Sequence, residues 1–226
     1  MADIPHNLAD IRKRIEKASV DAGRNPQEIR LVAVSKTFPA EVVRTAYDQG
    51  QRIFGESRLQ EALPKIESLP ADIHWHFIGR VQRNKLRKIL AACEVVHGID
   101  SLALASAADR IAGEEGWHSK VYLQVNIAAE ESKSGFSPDE LVAAMPELAA
   151  LQNLEIQGLM SIPPPAESSA RAREWFAALR ELRDRIEQSQ QIRLPGLSMG
   201  MSDDFEAAIM EGSTHVRVGS AIFGSR

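Results

Sequence analysis

The chain has 226 residues, 44% of them hydrophobic and 26% charged, enough for one sizeable globular core. Its formal net charge of −4 gives no overall attraction for nucleic acid or for an anionic membrane surface, so neither is an expected partner. One cysteine, Cys93, excludes an intramolecular disulfide and a CxxC metal site and suits the cytoplasm.

The start, Met1-Ala2-Asp3-Ile4-Pro5-His6, lacks the basic region and apolar run of a signal peptide. No apolar run reaches the ~20 residues needed to span a bilayer. Leu8, Ile11, Ile15 and Ala18 recur at helical spacing and predict a helix over 7–22 closed by Gly23. Leu31-Val32-Ala33-Val34-Ser35-Lys36 predicts a buried strand over 30–36 that delivers an amine to one end of a sheet. A helix over 40–49 follows, then a short strand over 52–56 and a helix over 57–68 with Leu59, Leu63 and Ile66 on one face and Pro64 as an interruption. A third strand is predicted over 73–79, then a helix over 82–92 with Lys85, Arg87 and Lys88 on its wet side.

The fourth strand covers 95–99, and Ser101 caps a helix over 101–115 that Gly116 ends. The fifth strand covers 120–126. Ser137-Pro138-Asp139-Glu140 combines cap, proline and acidic first turn at the start of a helix that ends near Ala150. The sixth strand covers 154–160, the proline run Pro163-Pro164-Pro165 follows, and a long helix spans 167–189. A short seventh strand lies within 195–199, Ser202 opens a helix to about Glu211, and the eighth strand covers 214–219 before Ile222-Phe223-Gly224. Eight strands alternating with helices, behind a leading helix, argue for a single α/β domain over 1–226 built as a (β/α)8 TIM barrel; an open doubly wound sheet is the alternative.

Barrel chemistry sits at the C-terminal ends of the strands, where this pattern places Lys36, Glu56, Gly79, Asn126, Met160, Ser198 and Gly219. A desolvated lysine can form a Schiff base with a carbonyl compound, whereas a plain strand-end lysine reaches water. Ser198-Met199-Gly200-Met201-Ser202 and Arg217-Val218-Gly219-Ser220-Ala221 follow strands seven and eight. That is the common phosphate position in barrels, and glycines and serines there let backbone and hydroxyls donate to an anion; tight capped turns are the alternative. Asp203 and Asp204 would have to point away from such an anion. Arg217 can donate but not accept a proton, so it could clamp an anion, hold an aromatic nitrogen unprotonated, or form a surface ion pair. A Schiff-base lysine, a phosphate cradle and an arginine together suggest pyridoxal 5′-phosphate, which has an aldehyde, a phosphate and a ring nitrogen.

Nearly the whole chain resembles the pyridoxal phosphate homeostasis protein family. The resemblance rests on Ala33-Val34-Ser35-Lys36, on Phe54-Gly55-Glu56-Ser57-Arg58-Leu59-Gln60-Glu61, and on His74-Trp75-His76-Phe77-Ile78-Gly79 with Gln82 and Asn84-Lys85. It continues through Val125-Asn126, Lys133, Gly135 and Gly158-Leu159-Met160 to Leu197-Ser198-Met199-Gly200-Met201-Ser202, and ends with Gly212-Ser213-Thr214, Val216-Arg217-Val218-Gly219 and Ile222-Phe223-Gly224. It implies a barrel like the N-terminal domain of alanine racemase, Lys36 as the Schiff-base lysine and Arg217 opposite the pyridine nitrogen. It also implies phosphate contacts from Ser202, Gly219 and Ser220, with the Met199, Gly200 and Met201 backbone nearby. Ser57 stands where the family usually has asparagine, so a hydrogen bond from that position to the cofactor loses the amide's reach.

The resemblance implies intracellular cofactor homeostasis without robust turnover, with apoenzymes that use the cofactor as partners. A PLP-dependent racemase, a Schiff-base aldolase and a pure interaction protein remain the alternatives. A racemase needs proton donors on both faces of the substrate carbon, and only Lys36 is evident. His74 and His76 share a strand face but have no third ligand beside them, so a packed or hydrogen-bonded role is expected rather than a metal site. Arg80, Arg83, Lys85, Arg87 and Lys88 read as a solvated face, or else as an anion or partner surface. No long apolar heptad is present, so a monomer is expected.

Overall fold

The computed structural model describes residues 2–130 and 133–224. Its strands are β1 (Arg30–Val34), β2 (Ile53–Glu56), β3 (His74–Phe77), β4 (Val95–Ile99), β5 (Ser119–Gln124), β6 (Leu154–Met160), β7 (Gly196–Ser198) and β8 (His215–Val218). All pair in parallel and in sequence order, and β8 returns to β1 in the register Arg30↔His215 through Ala33↔Val218, which closes the barrel. The helices are α1 (Ile4–Asp21), α2 (Ala40–Asp48), α3 (Leu59–Ser68), α4 (Leu86–Ala92), α5 (Leu102–Glu115), α6 (Pro138–Ala149), α7 (Ser169–Gln190), α8 (Phe205–Met210) and α9 (Ser220–Phe223).

The main apolar core lies between strands and helices. Leu31, Ala33 and Phe54 on the strands pack there with Leu8, Val43, Leu86 and Phe176 from the helices. Eight strands leave a lumen just wide enough for side chains to fill. Here the filling is mixed. Val95, Tyr122 and Met160 form a small separate apolar cluster, and His97 stacks on the Tyr122 ring at 4.7 Å between centroids.

Helix α1 crosses the seam where the chain's first and last strands meet, packing on α8, α9 and α2. Asn7 Nδ2 donates to the Ile222 carbonyl at 2.9 Å, and the Arg14 guanidinium contacts Glu206 at 2.6 Å. Just beyond α1, Arg24 Nη1 donates to the carbonyls of Ile209 and Ser213 at 2.9 and 2.7 Å.

Several boundaries differ from the sequence expectation for local reasons. Helix α1 starts at Ile4 because Asp3 caps it by accepting from the His6 amide, with Pro5 in the first turn. Strand β1 stops at Val34, since Phe38 N donates to the Ser35 carbonyl at 3.1 Å and turns the chain. The segment over 82–92 divides into a short 3-10 turn at Arg83–Lys85 and α4. Helix α8 starts at Phe205 because Asp204 Oδ1 accepts from Met201 N at 2.6 Å, holding the preceding residues in a turn. Helix α9 was not anticipated. Helix α3 runs through Pro64, which is exposed together with Gln60, so water can serve the carbonyl that loses its helical partner. The buried positions of α3 are Leu59, Ala62 and Lys65, while Leu63 and Ile66 are only half-buried.

Candidate functional site

The ends of β1 and β8 open on a cavity of about 310 Å³, near the lower end of the roughly 300–1,000 Å³ usual for small-molecule sites. Its walls include Lys36, Met201, Ser202, Asp203, Arg217, Gly219 and Ser220, with Val34, Ile78 and Ile162 as apolar surface; Asp203 thus stands on the wall rather than away from it. A larger hollow of about 490 Å³ lies on the outer side of the Lys36 turn, between α2 and α3, and shares only Phe38 with this cavity.

Lys36 is half-buried and lies two residues beyond the end of β1. On the neighbouring strand β8, Arg217 is 4% exposed. It is tied from behind: Nη1 donates to Ser198 Oγ at 2.6 Å and Nη2 to the Ser161 carbonyl at 2.8 Å. Burial lowers its pKa to about 10 and the Asp204 carboxylate opposes the shift, so the guanidinium stays charged at neutral pH. The backbone N–H groups of Gly219 and Ala221 converge on Ser202 Oγ at 3.2 and 3.4 Å. The loops after β7 and β8 therefore meet over a shared set of donors.

Behind Arg217 the lumen holds a chain of polar side chains. Ser198 Oγ lies 2.8 Å from His97 Nδ1, and His97 Nε2 lies 3.0 Å from His76 Nδ1. Ser198 accepts from Arg217; with its own proton directed to His97 Nδ1, His97 carries its proton on Nε2 and donates to His76, the directions being set by the tautomer. Tyr122 Oη is 3.0 Å from His215 Nδ1, and Thr214 Oγ1 is 3.1 Å from the same nitrogen. Burial is the main reason all three histidines stay neutral: His76 is lowered to about 3, His215 to about 4, and His97 well below its ordinary value. Ser161 Oγ, beside the carbonyl that Arg217 grips, is buried without a hydrogen-bond partner.

Beneath the Lys36 turn lies an ion pair that sequence reasoning missed. Lys65 Nζ donates to Glu56 Oε1 at 2.6 Å, with the side chains only 7% and 1% exposed. The same ammonium donates to the Ser35 carbonyl at 2.9 Å, and Ser35 Oγ donates to Glu56 Oε1 at 2.6 Å. Burial raises the Glu56 pKa, while Lys65 and Ser35 draw it back down. The available signal was spacing: Leu59, Ala62 and Lys65 recur three apart on the buried face of α3. The partners of Arg217 gave no such signal, because Ser198 and Ser161 lie 19 and 56 residues from it in the sequence, on other strands or loops.

Of the residues singled out in the sequence, Lys36, Met201, Ser202, Arg217, Gly219 and Ser220 share the cavity wall. Met199 is fully buried behind it, its carbonyl accepting from Ser213 Oγ at 2.8 Å. Gly200 also sits behind the wall: its carbonyl accepts from Arg217 N at 3.0 Å, and its φ of +92° favours glycine. Ser57 lines a separate cleft of about 250 Å³ with Arg58, Arg80, Gln82 and Lys85. Arg87 pairs with Glu114 and Glu115. His74 is exposed against Glu94, whereas His76 points into the lumen. Among the described residues no group of three His, Cys, Asp or Glu side chains is placed to hold a metal ion.

A closed barrel with an amine after β1 and an arginine and glycine–serine loops around β7 and β8 falls within a recognised class. The profile of the family described as alanine racemase, N-terminal domain, matches residues 3–226, and the chain belongs to that family. A pyridoxal phosphate homeostasis protein of Pseudomonas aeruginosa is 45% identical over 229 positions, covering 100% of this chain and 97% of the relative. One of Aquifex aeolicus is 41% identical, covering 97% and 96%. Within the class, the chain is a member of the pyridoxal phosphate homeostasis protein family. PipY of Synechococcus elongatus, solved with PLP bound, has a TM-score of 0.86 at 40% identity, covering 98% of this chain and 100% of that one. An alanine racemase of Clostridium difficile, 15% identical with a TM-score of 0.71, covers 99% of this chain but 57% of the racemase, and shares the fold.

Proposed function

We propose that this protein binds pyridoxal 5′-phosphate in the barrel-mouth cavity, anchored covalently on Lys36, and holds and hands over the cofactor without robust turnover. The observation that carries the reading is the convergence of Lys36, Arg217 and the Ser202, Gly219 and Ser220 loops on one cavity. The names of the relatives and the PLP-bound PipY structure support it. When bound, the cofactor supplies an aldehyde that condenses with a lysine amine, expelling one water.

The residues fit that group in three ways. Lys36 offers the amine. Ser202 and Ser220 offer hydroxyl donors to phosphate oxygens, and Gly219 lets the loop pack closely on β1, since a Cβ there would meet Val34 at 3.3 Å. Arg217 presents only N–H groups, so a ring nitrogen facing it remains an unprotonated acceptor, which weakens the ring as a sink for carbanion charge. Ser198 and Ser161 fix the guanidinium from behind. Carriage rather than catalysis is supported by what faces Lys36. The lumen histidines lie behind Arg217 and stay neutral, His76 and His97 buried and His215 half-buried; no histidine lines the cavity, where Asp203 is the one carboxylate among the described residues. Apoenzymes that use the cofactor are the partners this reading requires.

The test is a visible spectrum of the protein after incubation with pyridoxal 5′-phosphate, before and after borohydride, with mass mapping of the labelled peptide. An absorption band that disappears on reduction, leaving a pyridoxyl group on Lys36 and nothing in Lys36→Ala, is expected. A colourless protein that takes up no cofactor, or a label on another lysine, overturns the reading. Turnover of alanine or serine enantiomers that Lys36→Ala abolishes would replace carriage by racemisation.

A further inference from the structure

Lys36 lies in a turn that its own residues do not favour. Phe38 N donates to the Ser35 carbonyl at 3.1 Å, which makes Lys36 and Thr37 the two central residues. Thr37 has a φ of +70°. That is the left-handed region, which a β-branched residue adopts only when its surroundings impose it.

The surroundings here are specific. On one side of Lys36, the Ser35 carbonyl accepts from the buried Lys65 ammonium at 2.9 Å, and the Ser35 hydroxyl donates to Glu56 at 2.6 Å. On the other side, Thr37 N donates to Glu61 Oε2 at 2.9 Å. Glu61 and Lys65 are four residues apart on α3, so they lie on one face and act on the turn together. Arg58 Nη1 holds the other carboxylate oxygen of Glu61 at 3.0 Å. The backbone N–H of Thr37 is also the chief reason the Glu61 carboxyl lies below its ordinary pKa, with Arg58 acting in the same direction.

We propose that Glu61 and Lys65 of α3, braced by Glu56 of β2, are positioning residues that hold the turn at Ser35–Phe38 against the preference of Thr37 and so present the Lys36 amine to the cavity. The proposal rests on the reading of Lys36 as the anchor of pyridoxal 5′-phosphate. Its content is that the side chains on α3 act through the backbone on either side of the lysine. Both line the hollow on the outer side of the turn, and neither lines the cavity at the barrel mouth. Strain concentrated next to a reacting group, and held by its neighbours, is a recurrent feature of functional sites.

Glu61 is the residue to change, because it is half-exposed and its loss leaves the buried Glu56–Lys65 pair in place. Two ligands separate the effects. Pyridoxal 5′-phosphate can condense with Lys36, whereas pyridoxine 5′-phosphate has an alcohol in place of the aldehyde and reports non-covalent binding alone. Glu61→Ala is expected to weaken pyridoxal 5′-phosphate binding about tenfold relative to pyridoxine 5′-phosphate, the effect of one lost charge-assisted hydrogen bond. Glu61→Gln keeps an acceptor for Thr37 N and is expected to stay near the parent protein. Thr37→Gly in the Glu61→Ala background is expected to restore the ratio, since glycine adopts this backbone without being held there. In the cofactor-free protein, the Thr37 amide is expected to exchange with solvent deuterium faster in Glu61→Ala than in the parent.

Equal weakening of both ligands, an unchanged ratio, an unchanged Thr37 exchange rate, or a loss that Thr37→Gly leaves unrepaired would each overturn the clamp. Failure of the parent protein to form a borohydride-reducible adduct on Lys36 is a different result. It removes the reading on which the clamp rests and is seen before any variant is made.

Discussion

The buried histidines make the fold sensitive to acid, and the size of the effect follows from their burial. His76 and His215 have pKa values lowered from 6.5 to about 3 and about 4. In the unfolded chain both take up protons below pH 6.5, whereas in the folded chain they remain neutral until the pH approaches those lowered values. Their contribution to stability is therefore fully present above pH 6.5 and is lost as the pH falls toward 4. Each group removes about 1.4 kcal/mol per pH unit in that interval, so between pH 7 and pH 5 each costs roughly 2 kcal/mol and the two together about 4 kcal/mol. His97, also held neutral by burial, adds to the loss in the same direction. Glu56 and Asp204, both raised by burial, work the opposite way. A domain with ~5–15 kcal/mol of total stability would feel this strongly. Urea unfolding of cofactor-free protein, followed by tryptophan fluorescence at a series of pH values from 7 to 5, measures it directly. His76→Gln should flatten the dependence. A free energy of unfolding that stays level from pH 7 to pH 5 would refute the assignment of these imidazoles as neutral members of the lumen.

Two further outcomes test the packing beneath the site. Lys65→Met leaves the Glu56 carboxylate buried without its cation, and is expected to cost about 3–5 kcal/mol in a denaturant titration, most of it recovered when Glu56→Gln is added. Gly158→Ala is expected to abolish or severely lower the folded yield, read by circular dichroism, because its φ of +150° suits glycine and a Cβ there would overlap the Gly196 carbonyl across β6 and β7.

The barrel was legible because the strands' apolar runs and helix caps such as Ser101 and Ser137 are local signals. Lys36, Ser202, Arg217 and Gly219 were legible for the same reason, since a parallel barrel sends every strand's end to one face. Three features stayed hidden because they arise between segments. The polar filling of the lumen depends on His76, His97, Ser198 and Arg217 from four different strands, and only the closed register shows that they touch. The left-handed Thr37 cannot be read from a threonine, whose own preference runs the other way. The burial of Lys65 ran against the usual exposure of lysine and became acceptable only through Glu56 and the Ser35 carbonyl.

The seam under α1 has a consequence for how the chain acquires its shape. β1 and β8 pair side by side although almost the whole polypeptide separates them, so the contact that completes the cylinder carries the largest loop-closure entropy of any strand pairing in the barrel. The cavity is built across that joint, with Lys36 on one edge and Arg217, Gly219 and Ser220 on the other. A nascent or truncated chain that lacks its final strand cannot assemble half a binding site and improve it later. Strand pairing alone closes the cylinder, and any occupant of the mouth then acts as a latch, stabilising the sealed form in proportion to the logarithm of its own concentration.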